Sequence, residues 1–508
     1  LVSQAGPETG QLPLGLDEMR RAVAGFLRTD QAAVGTDDDL LALGLDSISV
    51  MRLAGLWRRA GVDVTYAELI EHRTLGQWWD LARRKHEASA GQPVVTSDVA
   101  AAGPGIDPGA LFALATMQHA YWVGRDPGQP LGGVGAQFYC ELDGQGVELA
   151  RLDLALRLLV ARHGMLRARF TDDGRQQIRP EANWPGVIVH DLSQLGQAEA
   201  SSQAERIRAW LSQRRMAAEA GQVFDVHLCL LPGGATRLQL AIEMLVCDGQ
   251  SFQILLSDLA ALYADPDAPL PELGYSFPRY LASQERRLAP RRDADKAWWE
   301  ARLAELPGPP ALPLACHPHD LTTRSHVRRC HFIPAEEWRQ LAARAREHSA
   351  LLSMVFATAF AEVVAAWSSS GEFLLNMPFY DRDDVHPDVG ALVGDFTNLV
   401  LVAVDQSAPL PFASRVRAMQ DRFHADLARA SYPGVAVLRD LMKIRPAAGS
   451  PAPVVFTSAI NIGELFCEQL RQHLGQPGYT MSTTPQVWLD CQVTERGGGL
   501  LVNWDAVE

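Results

Sequence analysis

Residues 88–109, ASAGQPVVTSDVAAAGPGIDPG, constrain the fold of this chain more than any other stretch. They are small and Pro/Gly-rich, with neither the 3.6-residue nor the two-residue apolar repeat, and so read as a linker, set here at 86–110. The chain must therefore bury two separate cores. Upstream lies a unit spanning residues 16–85, near the lower size limit for independent folding. Downstream lie about 400 residues, enough for a large core.

The upstream unit reads as helical. DEMRRAVAGFL places Met19, Val23 and Phe26 or Leu27 on one stripe, and TLGQWWDLARR closes the bundle. Between them a helix begins at the Asp46-Ser47 pair and carries Val50, Leu53, Ala54 and Trp57 at i, i+3, i+4 and i+7. The downstream unit mixes helices with strands. LARLDLALRLLVARHG is amphipathic through Leu152, Leu156 and Leu159, and HLCLLPGGATRLQLAIEML predicts a hairpin turning at Pro232-Gly233-Gly234. In its second strand Leu238, Leu240, Ile242 and Met244 share one face. A second helix–strand series follows from about residue 290. There SALLSMVFATAFAEVVAAW, apolar nearly all round, predicts a buried helix, and FLLNMPF, NLVLVAV and APVVFTSAI predict strands. Two such series imply two α/β lobes side by side.

Charge excludes some partners. With 46 basic against 60 acidic side chains the net charge is −14, which argues against nucleic acid or an anionic membrane surface as the main partner. No apolar run reaches the length of a membrane span, and a chain starting at Leu1 without a signal-peptide pattern is expected to be a cytoplasmic piece of something longer. Cys140, Cys229, Cys247, Cys316, Cys330, Cys467 and Cys491 form no C-x-x-C pair and read as buried cytosolic thiols. Cys316-His317-Pro318-His319 is the one metal-like cluster; with no second ligand set it reads as a loop, and no metal is expected.

A serine at a helix start usually caps it, but Asp46 can do so equally. That frees Ser47 to project from the helix N-terminus, where the dipole and unpaired amides favour an attached phosphate. LGLDSISVMRL resembles the modification site of a carrier protein, and the likeness extends over residues 16–85. GLDSI and the paired Trp78-Trp79 look most like aryl carriers. The resemblance implies a small four-helix bundle, 4'-phosphopantetheine on Ser47, a phosphopantetheinyl transferase to attach it and an adenylation domain to load it.

FALATMQHAYWVGR (residues 112–125) resembles the opening motif of heterocyclisation domains of nonribosomal peptide synthetases. Further matches follow in order: RHGMLRARF (162–170), LPGPPALPL (306–314), FLLNMPFYDR (373–382), GDFTNLVLV (394–402), APVVFTSAI (452–460) and TPQVWLDCQV (484–493). The resemblance covers residues 111–508. It implies an α/β (α+β) domain of chloramphenicol-acetyltransferase-like fold, its lobes at about 111–285 and 286–508, around a tunnel entered by a donor carrier on one side and a downstream aminoacyl carrier on the other.

Amide-forming relatives carry H-H-x-x-x-D-G at the lobe junction, where heterocyclisation domains carry D-x-x-x-x-D-x-x-S. This chain has Glu243, Asp248 and Ser251, so a glutamate replaces the first aspartate and moves the carboxylate by one methylene. Asp248 is expected to be structural, pairing with Arg167 of RHGMLR. Chemistry is expected elsewhere. After the amide forms, the acceptor side chain must attack an unactivated carbonyl and the product must lose water, which calls for a carboxylate acting as base and then acid. The resemblance assigns that work to Asp490, with Thr457 holding it or the substrate and with Gln486 and Asn376 near the carbonyl oxygen. The expected activity is condensation of an acyl or aryl thioester with carrier-bound Cys, Ser or Thr, then cyclodehydration to a thiazoline or oxazoline, as in a siderophore synthetase. A domain stopping at the amide and an inactive carrier-recruiting domain stay open. A coenzyme A acyltransferase fits less, since its general-base histidine motif is missing.

Overall fold

The computed structural model describes residues 15–508 apart from 28, 41, 42, 46, 61, 63, 90–108, 182, 183, 268, 269, 322–324, 447 and 448. Asp46, the side chain of Ser47 and most of the expected linker thus lie outside the described residues.

The upstream unit holds helices α1 (Leu16–Leu27), α2 (Ser47–Arg59), α3 (Tyr66–Glu71) and α4 (Leu75–Ser89). The expected stripe of α2, Val50, Leu53, Ala54 and Trp57, is wholly buried. Trp57 meets Trp78 edge to face at 5.4 Å, and the Trp78 indole N–H donates to the Leu69 carbonyl at 2.7 Å, so the larger aromatic is buried with its polar atom satisfied. Helix α3, too short to persist alone, is started by a Thr65–Glu68 capping box.

In the first lobe the elements run β1 (Leu111–Ala113), α5 (Thr116–Gly124), β2 (Gln137–Gln145), α6 (Leu149–Arg162), β3 (Ala168–Phe170), β4 (Arg175–Ile178), β5 (Ile188–Asp191), α7 (Gln197–Leu211), β6 (Phe224–Leu230), β7 (Ala235–Glu243) and α8 (Gly249–Ala264). Helix α9 (Phe277–Glu300) leads to the second lobe: β8 (His326–Ile333), α10 (Ala335–Glu347), α11 (Leu352–Trp367), β9 (Glu372–Tyr380), β10 (Thr397–Asp405), α12 (Phe412–Leu427), α13 (Gly434–Ile444), β11 (Val454–Ala459), α14 (Glu468–His473), β12 (Gln476–Thr483), β13 (Leu489–Arg496) and β14 (Gly499–Val507).

The first lobe's main sheet has the order β12-β2-β7-β6-β5, and the second lobe's has β10-β9-β11-β13-β14-β8. The predicted β6–β7 hairpin turns at Pro232–Gly234. Both faces of β7 are covered: Leu238, Leu240 and Ile242 enter the main core, while Ala241 packs with Tyr139, Leu211 and Met481. Strand β12 comes from the second half of the chain yet pairs antiparallel with β2. The chain crosses to the first lobe, then returns through residues 484–488 to β13, and the return segment spans the space between the lobes.

Two expectations are corrected. Helix α11 is not buried all round: Met354, Ala357, Phe360 and Val364 face the core, but Val363 is 44% and Trp367 69% exposed, because the helix forms an outer layer with one free side. Cys316 and Cys330 are exposed, the second on the edge strand β8, where alternate side chains turn to solvent.

Candidate active site between the lobes

At the lobe junction Asp248 caps α8, accepting from the Ser251 amide at 2.6 Å, and its other oxygen accepts from the Phe396 amide at 3.3 Å. The expected partner is corrected: Arg167 donates to the carbonyls of Val160 and Ala161, and Asp248 is paired with Arg382 at 3.3 Å. Sequence proximity of the RHGMLR motif was no guide, since Arg167 turns back on the end of its own helix. Ser251 Oγ donates to the Gly394 carbonyl at 2.8 Å and accepts from Arg382 at 2.7 Å. Asp248 and Ser251 thereby staple the start of a first-lobe helix to the second-lobe loop 381–396. Glu243, fully buried, is in ion-pair contact with Arg125 at 2.7 Å. Its extra methylene is accommodated by Gly135, where a Cβ would lie 2.9 Å from a Glu243 oxygen.

A cavity of about 650 Å³ opens between the lobes, and Asn376, Thr457, Gln486 and Asp490 all line it. The parallel pairing of β11 with β13 sets Val455 opposite Asp490 and Thr457 opposite Gln492, so these side chains share the cavity face. Thr457 Oγ1 donates to Asp490 at 3.1 Å, and Gln492 Nε2 donates to its other oxygen at 2.6 Å. The Asp490 carboxyl lies deep in the protein and is reached through the cavity. Desolvation pushes its pKa up to about 7, aided by the facing Asp505 and opposed by the Gln492 and Thr457 hydrogen bonds. Asn376 is buried on β9 with its carbonyl oxygen unpartnered among the described residues, and Gln486 sits in the return segment at φ +66°. A carboxyl that holds or releases a proton near neutrality, with amides beside it, can act as base and as acid on one substrate.

Sequence reasoning missed Arg125, Arg382, Gln492, Arg328 and Asp505. Gln492 was within reach, standing two residues after Asp490 on a strand. Arg328 was not, because only strand pairing brings β8 to this face.

The upstream unit is seated on the second lobe. Arg58 of α2 donates to Asp383 at 2.8 Å, Arg287 of α9 meets the same carboxylate at 2.5 Å, and Tyr66 of α3 packs on the second-lobe core. A Cβ on Gly55 would come within 2.6 Å of Asp384 Cβ, so the close approach of α2 to the loop requires glycine. Gly44, three residues before Ser47, lines a cavity of about 230 Å³ with Arg346, Met377, Phe379 and Phe456. Pro378, Phe379 and Tyr380 border both cavities. A phosphate on Ser47 would lie at the N-terminus of a 13-residue helix, beside that opening, so the residues present fit a phosphopantetheine arm.

Comparison with known proteins agrees with this geometry. Residues 114–503 match the family model described as condensation domain, and residues 17–81 match the phosphopantetheine attachment site. The chain is 42% identical over 492 residues to a phenyloxazoline synthase, MbtB, of a Mycobacterium species, covering 96% of this chain and 41% of that protein. It is 36% identical over 496 residues to pyochelin synthetase PchE of Pseudomonas aeruginosa, covering 97% and 34%. The chain thus spans about two fifths or less of these curated relatives. Among solved structures, the EpoB cyclization-docking bidomain of Sorangium cellulosum superposes with a TM-score of 0.73 at 32% identity, covering 79% of this chain and 81% of that one. A phosphopantetheine-attachment domain followed by a two-lobed domain of this fold and sequence means that the chain belongs to the condensation-domain family of nonribosomal peptide synthetases, on its cyclization branch.

Proposed function

We propose that this chain is the carrier–heterocyclisation part of a siderophore-type synthetase. Ser47 holds the donor acyl or aryl group, loaded by an adenylation domain, and a downstream carrier brings Cys, Ser or Thr. The product is a thiazoline or oxazoline. The observation that carries this reading is Asp490, a carboxyl in the inter-lobe cavity with neutral hydrogen-bond donors and a proton affinity near neutral pH. The names of the relatives, a phenyloxazoline synthase and a pyochelin synthetase, point the same way.

The phosphopantetheine arm supplies the donor as an activated thioester, so the acceptor amine can form the amide without strong acid–base help. Ring closure is different. Asp490, ionised, takes the proton from the acceptor hydroxyl or thiol as that atom attacks the amide carbonyl carbon. Thr457 and Gln492 hold the carboxyl in place. Asn376 and Gln486 line the space where charge grows on the carbonyl oxygen. Protonated Asp490 then gives its proton to the departing hydroxyl. The former carbonyl oxygen leaves as water with one hydrogen from the acceptor side chain and one from the amide nitrogen, and a C=N bond remains.

Arg58, Gly55 and Gly44 support the assignment of Ser47 to the donor side, since they seat the carrier where its modified serine adjoins the second-lobe opening. The test is mass spectrometry of the loaded protein with each aminoacyl carrier. Ring formation removes one water beyond the amide, and linear amide alone with all three acceptors would replace this reading with a condensation-only domain. A phosphopantetheinyl transferase should modify wild type once and Ser47→Ala not at all.

A further inference from the structure

We propose that Gln492, Arg328 and Asp505 are positioning residues for Asp490, and that Asp505 acts by drawing the Arg328 guanidinium away from the catalytic carboxyl. This rests on the heterocyclisation reading above. The second-lobe sheet sets Asp490 directly opposite Asp505 on β14, and Asp505 directly opposite Arg328 on β8. Three charged side chains thus stand in a row across neighbouring strands, and Arg328 lines the same cavity as Asp490. A guanidinium free to choose would grip Asp490 bidentately and hold it as an anion, which suits a base but not an acid. Asp505 prevents this. It receives Arg328 Nε at 2.6 Å and also Nη2, while Nη1 is taken by Thr480 on the crossing strand β12.

The same guanidinium sets the direction of the Gln492 amide. Gln492 Oε1 accepts from Arg328 Nη2 at 3.1 Å, which turns its NH₂ toward both carboxylates: Asp490 at 2.6 Å and Asp505 at 3.3 Å. A flipped amide would face its oxygen to two carboxylates and its NH₂ to a cation. The arginine therefore reaches Asp490 through a neutral donor. The remaining titratable group facing Asp490 is Tyr121 of α5, whose phenol is kept neutral because burial and nearby carboxylates push it far up. Thr457 from β11 completes the shell. Net attraction of Asp490 to positive charge is thus removed without emptying the site of cations, and its position near neutrality follows from burial that nothing offsets.

The two arms of this set predict opposite effects, which a merely structural role would not produce. In the loaded didomain with an aminoacyl carrier, Asp505→Asn releases Arg328 toward Asp490, and the pH midpoint for ring formation should fall by about one unit or more. Gln492→Leu removes a donor from the carboxylate, and the midpoint should rise by about half a unit or more. Asp505→Glu should return it toward wild type. Linear amide formation in the same samples, which does not need Asp490, reports that the variants are folded. If Asp505→Asn fails that control, Gln492→Leu alone decides. Midpoints that stay put, or that move in the same direction in both variants, overturn the proposal. Absence of ring product from wild type instead overturns the heterocyclisation reading and this proposal with it.

Discussion

Asp248 and Asp490 line the same inter-lobe cavity, yet the fold treats them differently. Asp248 is given an arginine, two backbone amides and a capping task, and is consumed in joining the lobes. Asp490 is given a hydroxyl and an amide, and the nearest arginine is bound to another carboxylate. Glu243 belongs with Asp248, held by Arg125 in the interior. The difference teaches that the partner, rather than depth, separates a structural acid from a chemical one: a buried carboxylate with a cation is a fixed charge, and one with neutral donors remains a proton carrier.

The largest expected effect tests the chemical acid. Asp490→Asn keeps the shape and removes the base, so ring formation should fall by about 10²–10⁴-fold while linear amide accumulates. Mass spectrometry of carrier-bound products from wild type and variant reads both. Undiminished ring formation would break the comparison at its centre. Asp248→Ala should do the reverse, lowering the melting temperature through the roughly 3–5 kcal/mol cost of leaving Arg382 buried without its partner. The ratio of ring to linear product from whatever stays folded should match wild type, and a specific loss of ring would move Asp248 into the chemistry. Thr457→Ala removes one donor to a charged group and should slow ring formation roughly tenfold, followed in the same assay.

The smallest effect concerns Asp395, an intermediate case. It sits at the junction near Asp248, and one of its oxygens lacks a partner among the described residues. Burial, with Asp248 adding repulsion, pushes its carboxyl up to about 8. Since its folded pKa lies above the unfolded value, its contribution to stability is complete below about pH 4 and is lost as pH rises through about 8. Melting curves should therefore soften above neutral pH, and Asp395→Asn should flatten that decline with little change in ring formation. An unchanged pH profile would show that burial without a cation does not by itself protonate a junction acid.

Much was legible from the chain. The helix stripe through Val50, Leu53 and Trp57, the β6–β7 hairpin, and strands β9, β10 and β11 follow from periodicities of 3.6 and 2 that need only neighbours in sequence. Asn376, Thr457, Gln486 and Asp490 were found through ordered motifs, and the structure brings all four to one cavity. The assignment of Asp248 to Arg167 failed because two buried charges reveal nothing about each other in sequence. Their pairing depends on how loop 381–396 packs against the start of α8.

The sequence by itself determined where the chain divides, which stretches become helix or strand, which serine opens a helix at the carrier motif, and which four polar residues to seek in the cavity. These are local properties, set by side-chain spacing and backbone preference. Tertiary structure alone decided that β12 crosses to the first lobe, that α2 seats on Asp383, and that Arg328 stands beside Asp490 but binds Asp505. Each depends on residues more than a hundred positions apart in the chain meeting across a sheet or an interface. The proton affinity of Asp490 follows from that geometry, because desolvation and the choice of charge partner are properties of the assembled site.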